Sequence, residues 1–183
     1  MIDSWPLRRG LPALLAALAP LVTLAGRATA GPAATPEVQC TLKTPRQGRI
    51  GQPVWLHIRL ESPSAVQVLT WGTPFEGVWL APFVALTREG EAIPYRGAAV
   101  KRGEPVADDY LRLQPNQARQ ARIDLAQAFD LSLPGSYRLV PRLQLHDVVP
   151  SQPGAVPRPR SAHRPLWLAC PALAFDLRPG SLR

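Results

Sequence analysis

Between Gln52 and Glu61 apolar and polar positions alternate: Val54, Leu56, Ile58 and Leu60 fall on one side, Trp55, His57, Arg59 and Glu61 on the other. A period of two predicts a strand with one face in the core, and each of the four aliphatics contributes about 1.5 to 3 kcal/mol on full burial. A slip of one residue would expose all four, so the register is strongly specified. Val38, Cys40 and Leu42 alternate in the same way and predict a short first strand. Ala65 to Trp71 predicts a third, and Pro82 to Arg88 with Ala92 to Tyr95 a hairpin turning near Glu89-Gly90. Tyr110 to Leu113 and Ala118 to Leu125 follow, separated by Pro115-Asn116, a turn that the two residues favour for different steric reasons. After a helical turn at Ala126 to Phe129, Ser136 to Leu145 alternates through Tyr137, Leu139, Leu143 and Leu145. Pro141 interrupts that ladder and predicts an edge position or a bulge. Leu166 to Cys170 and Ala172 to Leu177 finish the series.

Many short strands, turn signals every eight to twelve residues and no long 3.6-period segment together predict an all-β fold, an immunoglobulin-like antiparallel β-sandwich. Tyr137 fits that class, because a tyrosine just after a turn can hydrogen-bond back across the corner. The sandwich is expected over residues 37–177, after a flexible leader at 31–36 and before a tail at 178–183. Pro150 to Pro165 holds five prolines in sixteen residues with Arg158, Arg160 and Arg164, which predicts an extended, mobile loop rather than core.

The first thirty residues change the picture of location. Arg8 and Arg9 precede an apolar run from Leu11 to Leu24, and Ala28-Thr29-Ala30 supplies a small-x-small cleavage site, so residues 1–30 read as a signal peptide. Pro12, Pro20, Gly26 and Arg27 leave fewer than the roughly 20 apolar residues a transmembrane anchor needs. Export to the periplasm or the medium is the expectation. Cleavage leaves 153 of the 183 residues, enough for one domain with a sizeable core, and takes the formal charge from +8 to +6 by loss of Arg8, Arg9, Arg27 and Asp3. The remaining cations are scattered among acids with no basic, aromatic-interleaved stripe, which argues against a nucleic-acid partner. Cys40 and Cys170, an even pair in a chain bound for an oxidising compartment, are expected to form a disulfide. The rival reading, a free thiolate capping a partner's metal, needs an unpaired cysteine.

Candidate chemistry is sparse. His57, His146 and His163 are far apart and belong to no His-Glu-x-x-His or similar spacing, and the chain has neither Gly-x-Ser-x-Gly nor a phosphate-binding glycine loop. A three-histidine metal site requires the fold to gather them; a solvated His57 is the plainer reading. Adjacent Asp108 and Asp109 would point to opposite faces of a strand, which favours a solvated turn over a shared cation. No catalytic residue, metal ligand or cofactor is therefore expected. Trp71-Gly72-Thr73-Pro74-Phe75-Glu76-Gly77 is the richest segment: Pro74 and Phe75 restrict Glu76, and Trp71 and Trp79 can shield it. Either that carboxylate is aimed into a partner or the turn's aromatics pack in the core. The candidate partner-binding residues are Trp71, Thr73, Pro74, Phe75, Glu76, Trp79, Tyr95, Lys101 and Arg102, rigid aromatics and cations being frequent interface anchors.

Leu69 to Gly77, followed in order by Phe83, Thr87-Arg88-Glu89-Gly90, Pro94-Tyr95-Arg96-Gly97, Lys101-Arg102-Gly103-Glu104-Pro105, Asp108-Asp109-Tyr110, Phe129-Asp130-Leu131 and Gly135-Ser136-Tyr137, resembles the amino-terminal β-sandwich region of the peptidyl-Lys metalloendopeptidases, among the deuterolysin-like zinc peptidases. The span is Val54 to Leu145. The family's catalytic half brings a His-Glu-x-x-His helix and a downstream aspartate, which have no counterpart here, so no catalytic residue carries over. What the resemblance implies is the role of a pro-region: an exported, non-catalytic module that inhibits a zinc peptidase or assists its folding. The competing readings are a structural or assembly protein of the cell envelope and a small metal-dependent hydrolase.

Overall fold

The alternation at Gln52 to Glu61 becomes a central strand. The computed structural model describes residues 37–180; the expected signal peptide and leader, and the last three residues of the expected tail, lie outside them. In chain order the strands are β1 (Gln39–Lys43), β2 (Gln47–Arg49), β3 (Trp55–Glu61), β4 (Val66–Leu69), β5 (Val84–Arg88), β6 (Glu91–Ile93), β7 (Tyr110–Leu113), β8 (Arg119–Asp124), β9 (Gly135–Pro141), β10 (Gln144–Leu145), β11 (Val148–Pro150), β12 (Leu166–Trp167) and β13 (Leu173–Arg178). β3 lies between β1 and β8, and Val54, Leu56, Ile58 and Leu60 are all buried.

Two further sheets run β11-β4-β7 and β2-β13-β9-β5-β6, and β10 pairs with β12 as a short ribbon. Every strand pair is antiparallel except β2 with β13. Aliphatics from all three sheets, among them Ile58, Val68 and Leu139, meet in one core that also takes Leu145 and Leu168 from around the ribbon. The fold is thus all-β and immunoglobulin-like, and the corner tyrosine is in place: Tyr137 is buried, stacks on Phe175 at 5.1 Å, and its hydroxyl donates to the Leu133 carbonyl at 2.5 Å. Cys40 and Cys170 form a disulfide with Cα atoms 5.1 Å apart. Among the described residues no helix is long and apolar enough to cross a membrane.

Two expectations are corrected. β9 is not an edge strand, because β13 and β5 flank it on both sides. Pro141 is tolerated as its last residue, opposite Val84, and the next N–H, of Arg142, donates to the Phe83 carbonyl at 2.8 Å. The proline-rich segment is also more than an extended loop. It holds a 3-10 turn at Arg160–Ala162 and is tied to the sandwich through a buried aspartate described below.

Candidate functional site

The Trp71 to Gly77 segment is a capped 3-10 turn. Thr73, in an extended conformation, accepts from the Phe75 N–H through its hydroxyl oxygen at 3.3 Å and donates to the Thr70 carbonyl at 2.6 Å. Pro74 opens the turn with its fixed φ, and Gly77 closes it at φ 75°. Glu76 folds back on the turn. One carboxylate oxygen accepts from the Gly72 N–H at 2.7 Å and the other pairs with Arg102, whose guanidinium sits 5.5 Å from the centre of the Trp71 ring. Gly72 has φ +65°, a conformation that glycine adopts without steric cost. Glu76 is therefore spent inside the protein, and what reaches the surface beside it is positive.

Of the nine sequence candidates, Trp71, Thr73, Pro74 and Trp79 are buried, Phe75, Glu76, Tyr95 and Arg102 are partly covered, and Lys101 is exposed. Trp79 stacks on Phe83 at 4.3 Å, meets Phe129 edge-on and donates its indole N–H to the Asp124 carbonyl at 2.8 Å. Tyr95 packs edge-on against Phe129 and bonds the Ala98 carbonyl at 2.7 Å. These two rings hold the core together, and Thr73 and Pro74 shape the turn.

Trp71, Lys101 and Arg102 instead converge on a cleft of about 740 Å³, joined there by Gln144, His146, Arg160 and His163. The strand pattern carried a signal for two of these. Tyr137, Leu139, Leu143 and Leu145 are the inward, odd-numbered positions, so the even-numbered Gln144 and His146 face out, and both line the cleft. Arg160 and His163 come from the proline-rich segment, whose return path no local pattern reveals. His57 is exposed on β3 beside a separate hollow lined by Lys43 and Arg59, so the three histidines are not brought together. Asp109 accepts from the Val106 N–H at 2.8 Å within a 3-10 turn, while Asp108 is exposed. Among the described residues no group of three metal-ligating side chains forms.

The same odd parity runs on to Asp147, which is fully buried. Its carboxylate accepts from Arg158 at 2.8 Å, from the Arg164 N–H at 2.9 Å and from the Tyr110 hydroxyl at 3.0 Å. A buried charge persists only when paired and hydrogen-bonded, and here two of the partners, Arg158 and Arg164, flank the 3-10 turn at Arg160–Ala162 in the proline-rich segment. That bracket sets Arg160 and His163 against the cleft. Burial, with the hydrogen bond to Asp147 adding to it, pushes the Tyr110 hydroxyl up to about 12, so it stays a donor across the physiological range.

Burial lowers the pKa of His146 from its usual 6.5, helped by the nearby charges of His163 and Arg160 and opposed by Glu76. Folded His146 thus binds fewer protons than in the unfolded chain, and its contribution to stability is present above pH 6.5 and lost as pH falls through the folded value. Histidine C2–H NMR titration is expected to place His146 below 6.5. Glu76→Gln lowers it further and Arg160→Ala raises it; an unshifted His146 in both variants would contradict this electrostatic picture.

No family model matches the chain. It is similar to an extracellular protease of Aeromonas hydrophila, 31% identical over 74 residues that make up 40% of this chain and 21% of that protein, so the match spans about a fifth of the relative's length. Among solved structures it aligns with a CARDB domain from Pyrococcus furiosus, crystallised with di-metal ions, over 78% of this chain and 89% of that one at 8% identity and a TM-score of 0.32. It also aligns with a β-glucosidase from Listeria innocua, crystallised with gluconolactone, over 78% of this chain and 16% of that one at 10% identity and a TM-score of 0.33. The chain is an all-β, disulfide-bonded domain similar over two fifths of its length to part of an extracellular protease.

Proposed function

We propose that this protein is a periplasmic or secreted, non-catalytic binding module that acts on a peptidase as an inhibitor or folding partner, in the manner of the pro-region of a peptidyl-Lys-type zinc peptidase. The partial match to an extracellular protease carries this reading. The residues support it: the sequence has no His-Glu-x-x-His, and the cleft beside Trp71 offers cations and aromatic rings of the kind that anchor protein interfaces. The disulfide suits an oxidising compartment.

The test adds purified residues 31–183 to the secreted peptidase fraction of the producing organism and follows casein hydrolysis, then repeats the addition during refolding of that fraction from denaturant. A saturable drop in hydrolysis supports inhibition, and a raised yield of active peptidase supports assisted folding. No effect in either arm would remove the proposal.

A further inference from the structure

The binding-module reading leaves open which surface docks and what chemistry it recognises. Lys101 and Arg160 both line the cleft, and none of the ion pairs among the described residues involves either one. Arg160 is nonetheless held in place: one guanidinium nitrogen donates to the Arg102 carbonyl at 2.9 Å, and its backbone N–H donates to Glu104 at 2.9 Å. Its other guanidinium donors remain available. Arg102, by contrast, is matched by Glu76, and Arg158 by Asp147. No carboxylate lines the cleft itself.

The rim adds an apolar anchor. Trp167 of β12 is 66% exposed, an unusual state for so large an apolar ring. It is the register partner of Gln144 on β10, and directly opposed residues of an antiparallel pair share a face, so Trp167 stands on the side of the ribbon from which Gln144 reaches the cleft. Val100, 45% exposed, lines the cleft beside Lys101. On the floor, Trp71 is 7% exposed and its indole N–H finds no acceptor in the protein. Two cations outside the ion pairs, a buried orphan donor and exposed apolar side chains fit a negatively charged, partly apolar polypeptide.

We propose that this cleft seats an acidic segment of the partner protein, with an Asp or Glu carboxylate between Lys101 and Arg160 and a neighbouring apolar side chain against Trp167. A concave site with convergent donors suits one peptide carboxylate better than the extended charge of a nucleic acid or a membrane surface, which calls for a broad basic face. His146 lines the same place, as does His163, whose Nε2 is bonded to the Arg158 carbonyl at 3.2 Å. Attraction of this kind is screened by salt.

The test is calorimetric titration of residues 31–183 with the peptide acetyl-Ser-Asp-Glu-Leu-Asp-Glu-Ser-amide and with its Asn/Gln counterpart. The acidic peptide is expected to bind, the neutral one at least about tenfold more weakly. Lys101→Ala/Arg160→Ala is expected to lose at least about tenfold, Arg160→Lys to retain most of the affinity, and Trp167→Ala to weaken binding in low and high salt alike. Unchanged melting of the variants shows that they fold. Equal binding of both peptides, no binding of either, or anionic phosphatidylglycerol vesicles captured through the same two cations in preference to the peptide would each overturn the inference. It rests on the binding-module reading, and the two fail separately. A double variant that loses the peptide yet still acts on the peptidase sinks the cleft alone, whereas a wild type that binds peptide but leaves the peptidase untouched sinks the module reading.

Discussion

Replacing Asp147 with alanine lowers the unfolding free energy by about 3 to 5 kcal/mol, the range expected when one partner of a buried ion pair is removed and the other is left behind. The carboxylate is fully buried and serves Arg158, the Arg164 N–H and Tyr110 together, so the substitution strands three donors at once. The Nε of Arg158 is already buried without a partner, and without Asp147 the guanidinium keeps the Ala162 carbonyl, which is uncharged. Urea unfolding followed by tryptophan fluorescence measures the loss. Limited trypsin digestion separates a loosened segment from a general one. Arg158 and Arg164 each precede a proline and resist the protease, so Arg160-Ser161 is the susceptible bond of the proline-rich segment. Asp147→Ala is expected to be cut there much faster than wild type under native conditions. A shift below about 1 kcal/mol, the scale of an ordinary hydrogen bond, with cleavage unchanged would show that Asp147 does not anchor the segment.

Substituting both Cys40 and Cys170 by serine lowers stability by about 4 to 5 kcal/mol in the chain-entropy model. The reason is the length of the closed loop, with 130 positions separating the two cysteines. Cys40 belongs to the edge strand β1 and Cys170 to the connection between β12 and β13, so the bridge also secures the chain where it leaves the ribbon for β13. The urea midpoint of the double serine variant, compared with oxidised wild type, checks this. Reduced wild type is expected to match the variant. An unmoved midpoint in both would mean that the core alone sets stability.

How legible each part was in the sequence follows from how local its physics is. β3 could be read because four alternating aliphatics encode both a strand and its buried face, and the turns at Glu89-Gly90 and Pro115-Asn116 because Gly90 and Asn116 are residues that readily take the positive φ found there. The cysteine pair followed from number and compartment. β2 was missed because Gln-Gly-Arg carries no apolar alternation; its three residues exist as a strand only through parallel pairing with β13. Of the two options read from Pro141, an edge position or a bulge, the edge fails because a proline at the last ladder position costs no interior bond. In the site, the Trp71 to Glu76 turn was recognised, but whether Glu76 faced outward depended on Arg102, 26 residues away. Asp147 was within reach of the odd-position parity yet was overlooked, because an acid in an inward position becomes sensible only once Arg158 and Tyr110 are seen to meet it.

We propose that this protein presents a binding surface and performs no chemistry of its own. The most direct test incubates homogeneous residues 31–183 with a quenched fluorogenic casein, with added zinc and again after chelation. The buffer rate is expected under every condition; cleavage that scales with protein concentration, disappears with chelator and returns with zinc would overturn the proposal.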